Sequence, residues 1–219
     1  MMFEKMGKTI QSLREVAYSV DPAVFDDLVA LKTDWNATVS TGASFQTHKL
    51  VQVNPNRLKF RMTFSALLFY LIIILVGLGI LLGAFFIGEV SFDIPTIIPF
   101  LLGLMFTSAG IYLLQNISNF AIFDKEIEAF WKGAIKNPSH IFDRRTIPDY
   151  TRLEEIYAIQ LLTKYVNSNQ DSYDSYELNL VLKDAERINV ISHGDEESLR
   201  EDAYTLSSFL NKPLWDAIV

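Results

Sequence analysis

Three histidines, His48, His140 and His193, are the natural candidates for acid–base or metal chemistry in this chain of 219 residues, which contains no cysteine. Without cysteine, disulfides, thiol nucleophiles and cysteine metal sites are all excluded. The histidines lie far apart in sequence, and none stands beside an acid, base or second ligand in a recognisable spacing. His48 sits among threonine and lysine as a surface or turn residue, and His193-Gly194 is expected to form a strand-to-helix turn. Asn167-x-Asn169-x-Asp171 supplies the first three ligand positions of a calcium loop. Position six is Ser172 where a glycine makes the turn, and position twelve is Leu178 where a glutamate gives the bidentate ligand. A polar loop joining two strands is the expectation there. No P-loop, GxGxxG, HExxH or GxSxG pattern occurs. The sequence assigns no catalytic, cofactor-binding or metal-ligating residue, and a non-enzymatic protein without a cofactor is expected.

The elements that would hold any site are organised around two uncharged apolar segments. Residues 63–88 are 26 residues without a charge and 94–117 are 24, each enough for a membrane-spanning helix. Only residues 89–93 separate them, so the two helices must be antiparallel neighbours. Gly79 with Gly83, and Gly103 with Thr107, form small-xxx-small pairs that let backbones approach in lipid. They are expected to seam the hairpin to itself, with self-association across the same faces as the alternative. No ionisable residue lies inside either span, which counts against a transporter or pump. Pro95 and Pro99 are placed in the first turns of the second helix, where a missing amide does little harm.

Orientation follows from the flanks. Lys49, Arg57, Lys59 and Arg61 precede the first span and Lys125, Lys132 and Lys136 follow the second, whereas the loop holds Glu89 and Asp93 and no cation. By the positive-inside rule both termini are cytoplasmic, Val90 to Phe92 is the periplasmic tip, and no cleaved signal peptide is read. Residues 1–62 carry eight basic against six acidic residues, and 118–219 carry eleven against eighteen. The larger cytosolic part is acidic, which argues against nucleic acid as a partner. Of the two parts only the second is long enough for an independent core.

Along the chain, residues 4–18 read as a short amphipathic helix, packed on protein or lying on the inner leaflet, and Pro22 to Trp35 as a second helix with Asp21 as its cap. Asn36-Ala37-Thr38 matches a glycosylation triplet but is cytoplasmic by this topology. Thr38 to Ser44 is a loop. Phe45 to Val53 and Arg57 to Met62 flank Asn54-Pro55-Asn56 as a juxtamembrane hairpin whose second strand feeds the first span. After the spans, Asn119 to Phe123 and Glu128 to Trp131 form another hairpin, with Ile141-Phe142 as a possible edge strand. Leu153 to Val166 fits strand better than helix. Tyr176, Leu178, Leu180 and Leu182 alternate with Glu177, Asn179 and Lys183, and a turn at Asp184 to Glu186 leads to Arg187 to Ser192, a half-buried antiparallel hairpin. Asp195 to Glu197 open a terminal amphipathic helix presenting Leu199, Ala203, Leu206, Phe209 and Leu210 and ending at Asn211 before Pro213. Trp131 and Trp215 are expected in the core.

Antiparallel strands capped by one helix resemble the pleckstrin-homology-type barrel. FQTHKLV at 45–51, SYELNLVLKD at 175–184, RINVISHG at 187–194 and NKPLWD at 211–216 resemble segments of bacterial two-span inner-membrane proteins with such a cytosolic domain. With the hairpin, this gives an expected α+β membrane protein of three parts: 1–62, the hairpin at 63–117, and the domain at 118–219, with the barrel resemblance covering about 119–211. The resemblance implies no catalytic or binding residue. A membrane-anchored scaffold, adaptor or sensor in the lipid bilayer, working through a protein partner or self-association, is expected. An immunity or regulatory subunit binding a membrane protein or toxin through its helices is the other reading.

Overall fold

In the computed structural model, residues 20–39, 42–87, 94–117, 121–133, 135, 138, 146–167 and 172–218 are described. The expected helix at 4–18, the periplasmic tip, the Ile141-Phe142 strand, His140, Lys136, Asn169 and Asp171 lie outside them. Nine strands and three α-helices are defined among the described residues. A five-stranded antiparallel sheet runs in the order β1 (His48–Asn54), β2 (Arg57–Met62), β3 (Ala121–Asp124), β4 (Ala129–Lys132), β5 (Thr151–Arg152). A second sheet has β8 (Arg187–His193), β7 (Ser172–Leu182), β6 (Ile156–Asn167) and β9 (Leu214–Ala217), in that order. The helices are α1 (Phe64–Ile87), α2 (Ile94–Ile117) and α3 (Glu196–Leu210).

The alternation of β2 turns Leu58 and Phe60 inward, and both are buried in one core with Phe123, Phe130, Ile159, Leu161, Leu178 and Leu180 from the two sheets. That core draws on both sides of the helix hairpin. The stretch after residue 118 therefore does not fill its own core, contrary to the expectation from length, and β1 and β2 close the same body that β3 to β9 begin. Helix α3 adds Leu199, Ala203 and Leu206, all fully buried. Each large side chain of this kind stabilises the fold by roughly 1.5–3 kcal/mol. Asp195 caps the helix by accepting from Ser198 N (2.8 Å), and Asn211 ends it in the left-handed conformation at φ 53°.

The helix does not end the domain as expected. Beyond Pro213 the chain enters β9, which pairs parallel with β6 through Ile159↔Leu214 and Leu161↔Asp216, so the second sheet is mixed. The helix expected from Pro22 to Trp35 is also broken. Asp21 does cap a turn of 3-10 helix at Pro22–Phe25, but Asp26 is left-handed (φ 47°) and Asp27 caps a fresh turn by accepting from Val29 N (2.7 Å). Three aspartates in seven residues favour local side-chain bonds over a continuous ladder.

Helices α1 and α2 are long and apolar enough to cross a membrane, and most of their surface faces away from the protein. Thr63 starts α1, accepting from Ala66 N (3.2 Å) while donating to Gln46 O (3.0 Å). Pro99 is the sixth residue of α2, within its first turns as expected but already inside the hydrogen-bond ladder, so its missing N–H leaves the ladder one bond short.

Candidate functional site

The register of the second sheet stacks polar residues on the face away from the core. Gln160, Asn179 and Asn189 lie in one row across β6, β7 and β8; Glu177 and Ser192 lie in the next, beside the apolar Leu162; Lys164 and Ser175 follow. The β7 alternation predicts a half-exposed strand, yet Glu177, Asn179, Ser175 and Gln160 are completely buried. Their cover is the described part of the uncharged stretch 36–47, residues 36–39 and 42–47, with the aromatic stack of Phe25, Trp35 and Trp215 beside it (Phe25–Trp35 centroids 4.9 Å). Trp131 and Trp215 are both buried.

The sheet holds this strap by its main chain. Glu177 accepts from Thr38 N (2.9 Å), Thr38 Oγ1 (2.8 Å) and Val39 N (3.1 Å). Lys164 Nζ donates to Glu177 Oε1 (3.0 Å), Val39 O (3.2 Å) and Ser192 Oγ (3.3 Å). Gln160 Nε2 reaches Asp34 O (3.2 Å), Arg187 reaches Asn36 O (2.7 Å), and Tyr173 Oη reaches Gly42 O (2.7 Å). At Gly42 an added Cβ would come within 2.3 Å of Ser175 Oγ, so the strap lies against the sheet with no room for a side chain there.

Burial alone would push the Glu177 carboxyl up, but the Thr38 amide and the Lys164 ammonium outweigh it and hold it below its ordinary value. Burial lowers Lys164 against the opposing pull of Glu177. The pair is held together with main-chain, hydroxyl and amide partners. The cradle grips main-chain groups of the strap, and its hydroxyls, Thr38 on Glu177 and Ser192 on Lys164, are spent in the same network. Sequence reasoning missed it because Glu177 and Asn179 read as a solvent face; the signal was the twelve-residue stretch 36–47 without a charge, which can lie on a buried surface.

His48 and His193 do come near each other: the charge of His48 is among the forces on His193, after burial, that lower its pKa to about 4. His193 Nδ1 accepts from Asp195 N (3.2 Å), and its Nε2 is buried without a partner among the described residues. His48 Nδ1 lies 2.9 Å from Thr47 Oγ1 and the residue is 9 % exposed, so it is no surface residue. Gly194 makes the expected turn, packed so that a Cβ would meet Ser44 C at 2.3 Å. No cluster of three metal-ligating side chains occurs among the described residues. Asn167 pairs with Ser172, so residues 168–171 connect two paired strands.

Of the basic residues flanking the spans, Lys49 and Arg61 face each other across β1 and β2 at the end nearest α1. Lys59 and Arg57 follow on the same face, and Arg57 lies about 13 Å further along at about 3.3 Å per residue. Arg57 is not juxtamembrane in role: it pairs with the buried Asp124 and sits 6.0 Å over the Trp131 ring. Between the helices, close approach is made by Gly77 against Thr107 and Gly103, and by Gly110 against Ile74. Thr107 Oγ1 turns back to Gly103 O (2.8 Å). Gly103 and Thr107 thus lie in the seam as expected, but Gly79 and Gly83 do not, since a Cβ at either meets nothing within 4 Å. At 100° per residue, positions 79 and 83 point away from the face that carries 77 and 81.

These features define an α+β chain in which two helices long and apolar enough to cross a membrane rise from one β body. No protein-family model, curated protein or solved structure matches the chain.

Proposed function

We propose that the chain is a non-enzymatic protein of a bacterial inner membrane, with both termini cytoplasmic, that acts as a membrane-anchored scaffold, adaptor or sensor through a pleckstrin-homology-like body. One observation carries this reading. Strand β2 runs into α1 across a single residue, Thr63, and α2 returns within four residues to β3, which is hydrogen-bonded to β2. Helix α1 and the sheet are therefore joined almost directly, and a partner that shifts the sheet moves the helix. Lys49 and Arg61 at the helix end of the sheet agree with the cytoplasmic placement. Two sheets with α3 packed over their core support the barrel-like plan, to which β9 adds a parallel strand.

A second reading has its own observation: Gly79 and Gly83 leave a small-residue notch on the outer face of α1, suited to a helix of another membrane protein or of a second copy. Photocrosslinkers placed at Asp184 on the body and at Leu82 on α1, in native membranes, separate the two. The adaptor reading expects discrete protein adducts from Asp184 that survive Gly83→Leu. Adducts from Leu82 alone, lost in Gly83→Leu, would establish the helix-binding reading instead.

A further inference from the structure

The two sheets are not closed on each other everywhere. β1 and β8 are edge strands, and the seam between them is tight at Gly194, whose N–H donates to Phe45 O (3.3 Å), and opens toward the helices. There a cleft of about 640 Å³ lies between the body and the hairpin, within the range of sites that enclose a small ligand. Phe69 of α1, Leu113 of α2 and Val190 of β8 supply apolar wall, while Lys132, Thr47 and Ser192 supply polar groups. Phe69 is the sixth residue of α1 and Leu113 the fifth from the end of α2. At 1.5 Å per residue the cleft thus sits about 6–9 Å inside the helix ends, the depth at which headgroups give way to acyl chains.

We propose that this cleft binds one anionic membrane phospholipid, its acyl chain along Phe69, Leu113 and Val190 and its phosphate at Lys132. The inference rests on the reading that α1 and α2 span a membrane. Position and charge both favour this occupant. Part of the wall is contributed by the two helices, at Phe69, Tyr70 and Leu113, so a lipid can reach the cleft sideways from the bilayer. The sequence after residue 118 is strongly acidic, and a negative leaflet repels it, yet at this rim an ammonium, Lys132, lines the cleft, paired with Asp149. Lys132 is extended there by an ion pair with the half-exposed Asp149 (3.0 Å), with donor positions left over for a phosphate oxygen. Leu113 and Ala43 approach the cleft from separate elements, so either can be enlarged to fill it.

The test uses the full chain in vesicles of phosphatidylethanolamine and phosphatidylglycerol, with diazirine-bearing analogues of each lipid and peptide mapping of the adducts. Phosphatidylglycerol should label 45–48 and 189–192 about tenfold above the outward residues Phe85 and Phe86. Ala43→Trp and Leu113→Trp should each remove that excess and leave Phe85 and Phe86 labelled as before. Lys132→Gln should bring the two lipids to equal labelling in the cleft. Labelling of the cleft no stronger than that of Phe86, or insensitive to both tryptophans, overturns the proposal; equal labelling by the two lipids in the unaltered chain overturns its anionic part. Absence of label at Phe85 and Phe86 as well would overturn the membrane-spanning reading itself, an outcome distinct from the others.

Discussion

Gly77 and Glu177 both sit where two segments touch, and they hold them by opposite means. At Gly77 the helices approach because atoms are missing: a Cβ there would lie 2.5 Å from Thr107 N. At Glu177 the strap and the sheet meet because polar atoms are saturated, the carboxylate taking two amides, a hydroxyl, an ammonium and the Asn179 side chain. A contact of the first kind is broken by adding a side chain. A contact of the second kind is broken by removing one, because each partner left behind is buried and unpaired.

The largest effect is expected at Glu177. Glu177→Ala leaves the buried Lys164 ammonium without its counter-ion and two strap amides without that acceptor, and should cost about 3–5 kcal/mol, read as urea unfolding in mild detergent. The double change Lys164→Met, Glu177→Leu should recover part of that loss, because the buried charge is gone while the Thr38 and Val39 amides still lack an acceptor. If the single change is harmless, the strap is not held as described. Gly77→Leu should come next, at roughly 1–3 kcal/mol for overpacking a close contact, whereas Gly83→Leu, destabilising had Gly83 been in the seam, should leave monomer stability within about 0.5 kcal/mol. Equal effects at both positions would erase the distinction between seam and outer face.

A smaller and subtler effect concerns pH. Asp202 of α3 accepts from Leu50 N (3.0 Å) at the edge of β1, and burial, with the nearby Glu201 charge adding to it, raises its pKa to about 6 from 3.8. The folded state then takes up this proton before the unfolded state does, so stability grows as pH falls from about 6 toward 3.8. His193 acts in the other direction. Its folded pKa of about 4 lies below 6.5, so its contribution, full above pH 6.5, is lost as pH falls toward 4. The two slopes oppose each other in the unaltered protein. Asp202→Asn should raise stability at pH 7 by about 1 kcal/mol, discounted for partial solvation, and should leave a steeper loss on acidification to pH 5. Unfolding curves at pH 7 and 5 measure both, and an unchanged slope would show that Asp202 does not titrate in this window.

How far the sequence could be read follows from the same contrast. In the body, inside and outside differ in polarity, so Leu58 and Phe60, the β7 leucines and the α3 stripe announced their face. The strap did not, because a buried carboxylate and a solvated one look alike until the covering chain is in place. In the hairpin almost every residue is apolar whether it faces outward or the other helix, so periodicity located the helices but could not choose Gly77 over Gly79 as the contact. Strand β9 is short and pairs at a distance with β6, and Pro213 before it read only as a helix stop. Both sides of the hairpin feeding one core was hidden for a different reason: β2 pairs with β3 across the whole helix pair, a separation that local pattern does not register.

The central claim is that one cytoplasmic body is built from the chain on both sides of a membrane-spanning hairpin. Since the chain has no cysteine, single replacements at Asn56, Ser91 and Asp184 report it directly in intact spheroplasts treated with a membrane-impermeant maleimide. The account predicts labelling at Ser91→Cys alone before lysis, and at Asn56→Cys and Asp184→Cys only after it. Labelling of position 56 or 184 from outside, with 91 protected, would contradict it.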